Sequence, residues 1–209
     1  KKIEKLLSNP VTKSTVDATA KIYELSLKPA YAAIMTAESH LTGKTVNRNL
    51  HISRSISDLE GRAEMALLTS QKLGTCNYRC VGCDALNALA SVTWEMDQAE
   101  GTDYHNRFNA FLKEAQENDW AMSGAVTDAK GDRRKRASEE EPDMYVHINN
   151  QNERGITVRG AKLHQSGALA AHYSIVIPGG ALRPGEEKFA VAFAVPNSAP
   201  GLTYISQYN

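Results

Sequence analysis

The chain has 209 residues, and its 24 basic and 24 acidic side chains give a formal net charge of zero. This balance excludes the global positive field that attracts nucleic acid. The longest apolar runs are too short to cross a bilayer, and the first residues lack the apolar region of a secretion signal. We therefore expect a soluble cytoplasmic protein, with no nucleic-acid or membrane partner, that is long enough to bury a sizeable core.

Helical patterns dominate the first 118 residues. Apolar spacing predicts a helix from Val16 to Leu27, ahead of the proline at position 29. A capping box of Ser57 and Glu60 predicts the start of a second helix, and Gly74 predicts its end. The polar stretch between them, residues 39–52, fits either a surface loop or a loop that lines a site.

The three cysteines of the chain lie close together, at positions 76, 80 and 83. Thr75 predicts the cap of a third helix that continues through Trp94, which places Cys76 and Cys80 on one face of its first turns. The N-terminal end of a helix lowers the pKa of a thiol and favours the thiolate, the form that binds metal. Cys83 points near the same face, so the motif predicts a metal site.

Other interpretations of the cysteine motif remain open. Free cysteines also occur as small hydrophobic residues on buried helix faces. A disulfide is less favoured, because the odd count leaves one thiol over. The spacing also matches radical-SAM enzymes, whose cysteines follow a strand of a βα barrel, but this chain does not alternate strands with helices.

A further helix is predicted to begin at Asp103 and to end near Asn118, with Phe108, Phe111 and Leu112 facing a core. Beyond Trp120, β-branched residues, glycine and proline replace the helical pattern. We therefore predict a domain boundary near Asp119, with a helical domain over 1–118 and a β domain over 119–209.

Strand patterns fill the second domain. Residues 144–148 and 156–163 predict a hairpin, and residues 173–177, 189–195 and 202–205 predict further strands. The loop at 123–133 fits either an ordinary turn or a nest of amide donors that binds an anion or a carbonyl. The charge run over 133–141 fits a solvated loop or a phosphate-binding patch. The order of elements predicts an α+β fold, with a mostly antiparallel sheet after the helices.

Several segments resemble the 4-hydroxybutyryl-CoA dehydratase group within the 4-hydroxyphenylacetate 3-hydroxylase flavoproteins. Lys72-Leu73-Gly74-Thr75-Cys76 and Arg79-Cys80-Val81-Gly82 are similar to its iron–sulfur motif. The resemblance extends over essentially the whole chain. Its other matching segments are residues 35–43, 101–105, 126–133, 158–162, 164–167 and 190–196.

The resemblance implies an acyl-CoA dehydrogenase-like fold that here lacks the family's C-terminal helical domain. It implies FAD and a 4Fe–4S cluster as cofactors, with Cys76 and Cys80 as cluster ligands through which they act in catalysis and Cys83 as an extra thiol. It also implies a CoA-thioester substrate and a homotetramer. The residues expected to hold FAD are Val126, Thr127, Asp128, Ala129, Lys130, Gly131, Asp132, Arg133, His164, Gln165, Ser166 and Gly167.

The activity implied by the resemblance is the dehydration of 4-hydroxybutyryl-CoA to crotonyl-CoA, with vinylacetyl-CoA Δ-isomerase activity, by a flavin radical mechanism. The remaining cluster ligands of the family, a histidine and a cysteine, belong to the C-terminal helical domain, so a further domain or chain is expected as a partner. Tyr78 stands where the family has a glutamine that meets the substrate. A flavin-dependent aromatic hydroxylase and a non-catalytic fragment or subunit are the alternatives.

Overall fold

The computed structural model describes residues 8–74, 84–129, 131–132, 134–165 and 167–205. The α-helices in these ranges are α1 (Pro10–Ser26), α2 (Ala32–Met35), α3 (Ile56–Leu73), α4 (Leu86–Glu100) and α5 (Tyr104–Glu117). The strands are β1 (Thr36–Glu38), β2 (Thr45–Asn47), β3 (Met122–Ala125), β4 (His147–Asn152), β5 (Gly155–Arg159), β6 (Tyr173–Val176) and β7 (Phe193–Pro196). The mixed helix and strand content predicted from the sequence is confirmed, but the antiparallel pair of β1 and β2 lies among the helices rather than after them.

Helix α1 begins at Pro10 rather than at Val16. Proline is favoured in the first turn, where its missing N–H leaves no bond unmade. The Asn9 side chain accepts a hydrogen bond from the backbone N–H of Thr12 at 3.4 Å, so the helix is already capped there. The apolar face of α1 packs Ile22 and Leu25 into a small core with Met35 and Met65.

The predicted cap at Ser57 is wrong by two residues. Ser55 has extended backbone angles, and its hydroxyl accepts from the Asp58 N–H at 3.1 Å, whereas Ser57 lies inside the first turn of α3. The predicted end of α3 is confirmed, because Gly74 adopts the left-handed conformation at φ 63° that closes a helix. The cap predicted at Thr75 lies outside the described residues.

The core of the chain joins helices and sheet. Leu86 of α4 and Leu112 of α5 are fully buried, and they belong to one apolar cluster with Met122 of β3 and Ile175 of β6. Phe108 is buried in the same cluster and Phe111 packs against it, as predicted for α5. Within the described ranges, no helix is long and apolar enough to cross a membrane.

The second half of the chain contains a three-stranded sheet in the order β3-β6-β7 and a separate β4–β5 hairpin. The hairpin was predicted, and β6 and β7 pair antiparallel. β3 and β6 are parallel, which is the exception among strand pairs that are otherwise antiparallel in the described residues. The chain between them crosses from one end of the sheet to the other, and the hairpin lies within that crossing.

Two strand predictions near the C-terminus need correction. Residues 202–205 form no strand, and Ile205 is 91% exposed, because this segment has no neighbouring strand to pair with. The predicted strand 189–195 is shorter, since Glu187–Phe189 forms a 3-10 turn that buries the Phe189 ring. Only Phe193–Pro196 joins the sheet.

Candidate functional site

A cavity of about 290 Å³ lies between the end of β6, the turn that follows it and the start of the hairpin. The aliphatic part of its wall includes Val176 and Val191, both buried. Its polar part includes Asp128 and Lys162, which belong to two segments far apart in sequence. Among the described residues that were predicted to hold FAD, only Asp128 lines the cavity.

A buried ion pair holds these two segments together. The Lys162 ammonium contacts the Asp128 carboxylate, and each side chain is only 8% exposed. The same ammonium donates to the carbonyl oxygens of Val126 at 3.0 Å and Ile177 at 2.9 Å, so all its protons have acceptors. The backbone N–H of Leu163 also donates to the Thr127 carbonyl at 2.8 Å. The structure thus places Val126–Ala129 directly beside the start of the 164–167 segment.

Gly179 allows the turn after β6 to approach the same junction. A side-chain carbon at this position would overlap the Asp128 carboxylate and would lie 2.7 Å from the Val126 carbonyl oxygen. At Gly180, by contrast, the surrounding space is open. Residue 179 is therefore restricted to glycine by a backbone contact, and the Pro178–Gly180 turn forms one wall of the cavity.

The other predicted cofactor residues differ in their exposure. Val126 is 41% exposed, and His164 is exposed with a positive φ of 59°. The Asp132 carboxylate accepts from the Arg134 side chain and backbone, and these bonds lower the pKa of Asp132. Among the remaining predicted residues, Thr127, Gln165 and Gly167 are half-buried, Ala129 is partly exposed and Gly131 is exposed. Lys130, Arg133 and Ser166 lie outside the described residues.

Two aromatic rings also line the cavity. Tyr145 and Phe189 meet edge to face, with ring centroids 6.3 Å apart. Burial raises the pKa of the Tyr145 hydroxyl, and the negative charges of Asp128, Glu140 and Glu186 add to that shift. Glu186 is buried, and hydrogen bonds from the Arg183 N–H and the Ser138 hydroxyl lower the pKa of its carboxyl.

The cysteine motif, with Tyr78, Cys76, Cys80 and Cys83, lies outside the described residues. Its flanks carry charged groups: Arg62 on α3 reaches across to Asp84, the first described residue after the motif. Within the described ranges, no group of three or more histidine, cysteine, aspartate or glutamate side chains is arranged to hold a metal ion.

The stretch 39–52 is not a surface loop, because several of its polar side chains are buried. Gln116 of α5 accepts from the Ser39 hydroxyl at 2.6 Å and donates to the Leu50 carbonyl at 2.8 Å. The Arg48 side chain donates to carbonyls at the end of α2. The density of Asn, Arg and His in this stretch was the available signal, but composition does not distinguish buried from solvated polar groups.

His51 in this stretch is a functional candidate that the sequence did not single out. Its Nε2 lies 3.0 Å from the Asp58 carboxylate and its ring is buried, while its Nδ1 has no hydrogen-bond partner among the described residues. Burial raises the pKa of Asp58, but hydrogen bonds from the Arg54 N–H, Ser55 and His51 outweigh it and lower the value to about 2. The Asn87 side chain on α4 bonds the backbone at 51 and 53, so this pair lies beside the helix that follows the cysteines.

Comparisons with known proteins agree with this architecture. The family model described as the N-terminal part of 4-hydroxyphenylacetate 3-hydroxylase matches residues 1–209. The chain is 43% identical, over 98% of its length, to the 4-hydroxybutyryl-CoA dehydratase/vinylacetyl-CoA Δ-isomerase of Clostridium aminobutyricum. It is 30% identical, again over 98% of its length, to the oxygenase component of 4-hydroxyphenylacetate 3-monooxygenase from Thermus thermophilus.

Among solved structures, a dehydratase is again more similar to this chain than an aromatic oxygenase is. An oxygen-tolerant archaeal 4-hydroxybutyryl-CoA dehydratase from N. maritimus matches 93% of the chain, with a TM-score of 0.89 and 40% identity. The oxygenase component of 4-hydroxyphenylacetate 3-monooxygenase complexed with FAD matches 93% of the chain, with a TM-score of 0.74 and 26% identity. The chain spans about two fifths of the length of these proteins: 42% and 41% of the two relatives, and 39% and 40% of the two structures.

Proposed function

Because the chain belongs to the 4-hydroxyphenylacetate 3-hydroxylase family, we propose that it forms the N-terminal and middle parts of a 4-hydroxybutyryl-CoA dehydratase that also isomerises vinylacetyl-CoA. The helical residues 1–118 would carry the cysteine motif, and residues 119–209 would hold the flavin. The observation that carries this proposal is the 43% identity to a dehydratase/isomerase over nearly the whole chain, against 30% to an aromatic oxygenase.

The junction of the two cofactor segments fits a flavin. FAD-bound relatives share this fold, and the Asp128–Lys162 pair fixes both segments to the end of β6. Val126–Asp132 and His164–Gly167 would hold FAD, with Arg133 and Ser166 completing the set. When bound, FAD supplies one-electron chemistry at a carbon–hydrogen bond that is not otherwise acidic.

The donor set of the cysteine motif fits an iron–sulfur cluster. Thiolates four residues apart on one helix bind the soft iron–sulfur unit well, and Cys76 and Cys80 would be two of its ligands. Such a cluster supplies a Lewis acid for the hydroxyl that leaves. The other ligands would come from a C-terminal helical part, which agrees with the fraction of the relatives that this chain spans. A homotetramer is proposed on the family resemblance.

The residues of this chain would act mainly by positioning. The buried pair of Asp128 and Lys162 keeps the flavin segments in register, and the apolar wall of Val176 and Val191 excludes water from one side of the cavity. Tyr78 would contact the CoA-thioester substrate.

The proposal is tested by replacing each ligand cysteine in protein that contains the C-terminal part. Cys76→Ser and Cys80→Ser should abolish iron binding and dehydration, because a serine oxygen is a poor ligand for iron–sulfur units. Bound FAD, measured by its visible spectrum under anaerobic conditions, should remain. Full dehydratase activity in the Cys80→Ser protein would refute the assignment.

The same variants distinguish the dehydratase from the alternative function, a flavin-dependent aromatic hydroxylase. The TM-score of 0.74 to an FAD-bound oxygenase supports that alternative. A hydroxylase needs no cluster, so Cys76→Ser would leave its activity intact and oxygen would stimulate it. Loss of activity in Cys76→Ser, together with inhibition by oxygen, supports the dehydratase.

A further inference from the structure

We propose that the charged loop at residues 134–141 is a contact surface for a second copy of this chain. Three basic residues, Arg134, Lys135 and Arg136, come first in the loop, and three consecutive glutamates at 139–141 end it. The contact rests on the homo-oligomer of the proposed function, but not on its chemistry.

The charges of the loop are exposed and are not paired with one another. Both triplets consist of exposed residues, apart from the half-buried Glu140. Arg134 bonds the nearby Asp132, yet its side chain remains 90% exposed. Among the described residues, no ion pair joins a basic residue of the loop to one of its three glutamates. Both halves of the loop are therefore available to an external partner.

One basic residue of the loop also acts within the chain. Hydrogen bonds, the largest from the Arg183 N–H, lower the pKa of the buried Glu186 carboxyl, and the positive charge of Arg136 adds to that effect. Arg136 forms no ion pair with Glu186 in the described part of the chain. Its guanidinium can therefore still bind a carboxylate outside the chain.

Two of the glutamates are held in place by backbone donors. Glu139 accepts from the Arg136 N–H at 2.8 Å, and Glu140 accepts from the Asp132 N–H at 2.7 Å. An ionised carboxylate has about four acceptor positions, so each of the two can accept further hydrogen bonds. The acidic half of the loop is thus oriented by the chain itself before any partner binds.

The order of the charges makes the loop complementary to itself. A 3-10 turn at Ala137–Glu139 joins the two triplets, and the backbone is extended on both sides of it. In a two-fold contact, residue i of one copy meets residue j of the other, and j meets i. With the axis between Ala137 and Ser138, the basic residues 134, 135 and 136 face the acidic residues 141, 140 and 139 of the second copy. The small side chains at the axis let the two backbones approach.

The same charges disfavour other partners. A nucleic acid or an acidic protein would meet the three glutamates, and a basic protein would meet the three cations, so each would be repelled by one half of the loop. Only a surface with the reversed order of charges matches both halves, and a second copy of the loop is such a surface. Exposed ion pairs contribute little singly, so the loop mainly determines the relative orientation of the copies.

The first experiment reverses the charges of each half, in protein that contains the C-terminal part. Arg134→Glu/Lys135→Glu/Arg136→Glu makes the loop wholly acidic, and Glu139→Lys/Glu140→Lys/Glu141→Lys makes it wholly basic. In sedimentation measurements at about 0.05 M salt, where exposed charges are weakly screened, each variant alone should associate at least about tenfold more weakly than the parent. An equal mixture of the two variants should recover the parental affinity, because opposite charges then meet at every position.

The matched control is Glu153→Lys/Arg154→Glu, which exchanges two exposed charges in the turn of the β4–β5 hairpin and should associate like the parent. Parental association of either loop variant, or an equal mixture that associates no better than the variants alone, would overturn the proposal.

The second experiment needs no substitution, so it holds even if a loop variant fails to fold. Isotope-labelled and unlabelled parent proteins are mixed and treated with a carbodiimide, which joins an ammonium to a carboxylate in direct contact. Mass spectrometry should find Lys135 of one copy joined to Glu140 of the other. If the only links of Lys135 were within one copy, or if it formed none, the two-fold contact would be refuted.

Failure of the proposed function is distinguishable from failure of this inference. Dehydration of 4-hydroxybutyryl-CoA by a parent whose association ignores the loop charges would overturn the contact and leave the function standing. Absence of dehydration by the parent, together with recovery of association in the mixture, would refute the function and support the contact.

Discussion

At the scale of single residues, Lys162 is the most constrained charged group near the cavity. Its ammonium has three acceptors, of which two are backbone carbonyls on different segments. A buried pair of this kind is costly to break, because removal of one partner leaves an uncompensated charge in a low-dielectric interior. The main role of Lys162 is therefore to fix the geometry of the junction between these segments.

We expect Lys162→Met to lower the free energy of unfolding by about 3–5 kcal/mol, since Asp128 would remain buried without its partner. Urea unfolding measures this loss. Arg159→Ala is the matched control, because it breaks the ion pair with Asp143 whose side chains are 59% and 50% exposed, and it should cost at most about 1 kcal/mol. Similar losses of unfolding free energy in the two variants would show that the buried ion pair contributes no more to stability than the exposed one.

The carboxylate of Asp58 predicts a pH dependence. The pKa of Asp58 is about 2 in the folded chain and lies below the value in the unfolded chain. The stability that this carboxylate contributes is therefore present above about pH 4 and is lost as the pH falls through 2. Asp58→Asn should lower the free energy of unfolding at pH 7 by roughly 1–2 kcal/mol, and the difference from the parent should narrow between pH 4 and pH 2. If the stability difference between Asp58→Asn and the parent stayed constant over this pH range, titration of Asp58 would not be its cause.

At the scale of elements, the sequence predicted individual helices and strands better than the contacts between them. The helix end at Gly74, α5 with Phe108 in the core, and the β4–β5 hairpin follow from local patterns, and the structure confirms them. The cap at Ser55 was missed because Ser57 with Glu60 offers an equally good local pattern.

The buried side chains of the 39–52 stretch were missed for a different reason. Their burial depends on partners such as Gln116, which is distant in sequence and gives no local signal. The first flavin-like segment was predicted as a loop and the second as part of a sheet, with no sign that they meet. The Asp128–Lys162 contact that joins them is likewise a product of tertiary packing.

The turn after β6 gives a prediction at the same scale. Gly179→Ala should lower the melting temperature and weaken flavin retention, because the added carbon meets the Val126 carbonyl oxygen, which cannot move without shifting β3; overpacking of this kind costs about 1–3 kcal/mol. Gly180→Ala next to it meets open space and should change the melting temperature little. If both variants behaved alike, the close approach at 179 would not be a constraint on the fold.

At the scale of the whole molecule, these residues span about two fifths of their relatives, and apolar surface remains exposed on the helices. Trp94 and Val92 on α4 are 54% and 49% exposed, and Leu67 on α3 is 60% exposed. We propose that a C-terminal helical part of the same protein or of a partner covers this surface.

We expect the 209 residues alone to show no dehydratase activity, to hold FAD weakly and to associate in solution, because under the proposed function the remaining cluster ligands and the covering helices would come from a C-terminal part. Addition of a C-terminal helical part should restore flavin and iron binding, measured by the anaerobic visible spectrum. Turnover of 4-hydroxybutyryl-CoA by these residues alone would show that the proposed division of the active site is wrong.

The parallel pairing of β3 with β6 also determines the order in which the β domain assembles. The β4–β5 hairpin closes through a short turn at Asn152–Gly155 and needs only local contacts, whereas β3 meets β6 only after residues 126–172 have been drawn into a loop. Long-range pairing of this kind is slow compared with hairpin formation. Hydrogen-bonded and non-hydrogen-bonded pairs alternate along the hairpin from the closing pair Asn152–Gly155, so Thr157, opposite Asn150, is a hydrogen-bonded position. During refolding, the amide of Thr157 should therefore gain protection from hydrogen exchange before the amide of Leu163, which donates to the Thr127 carbonyl.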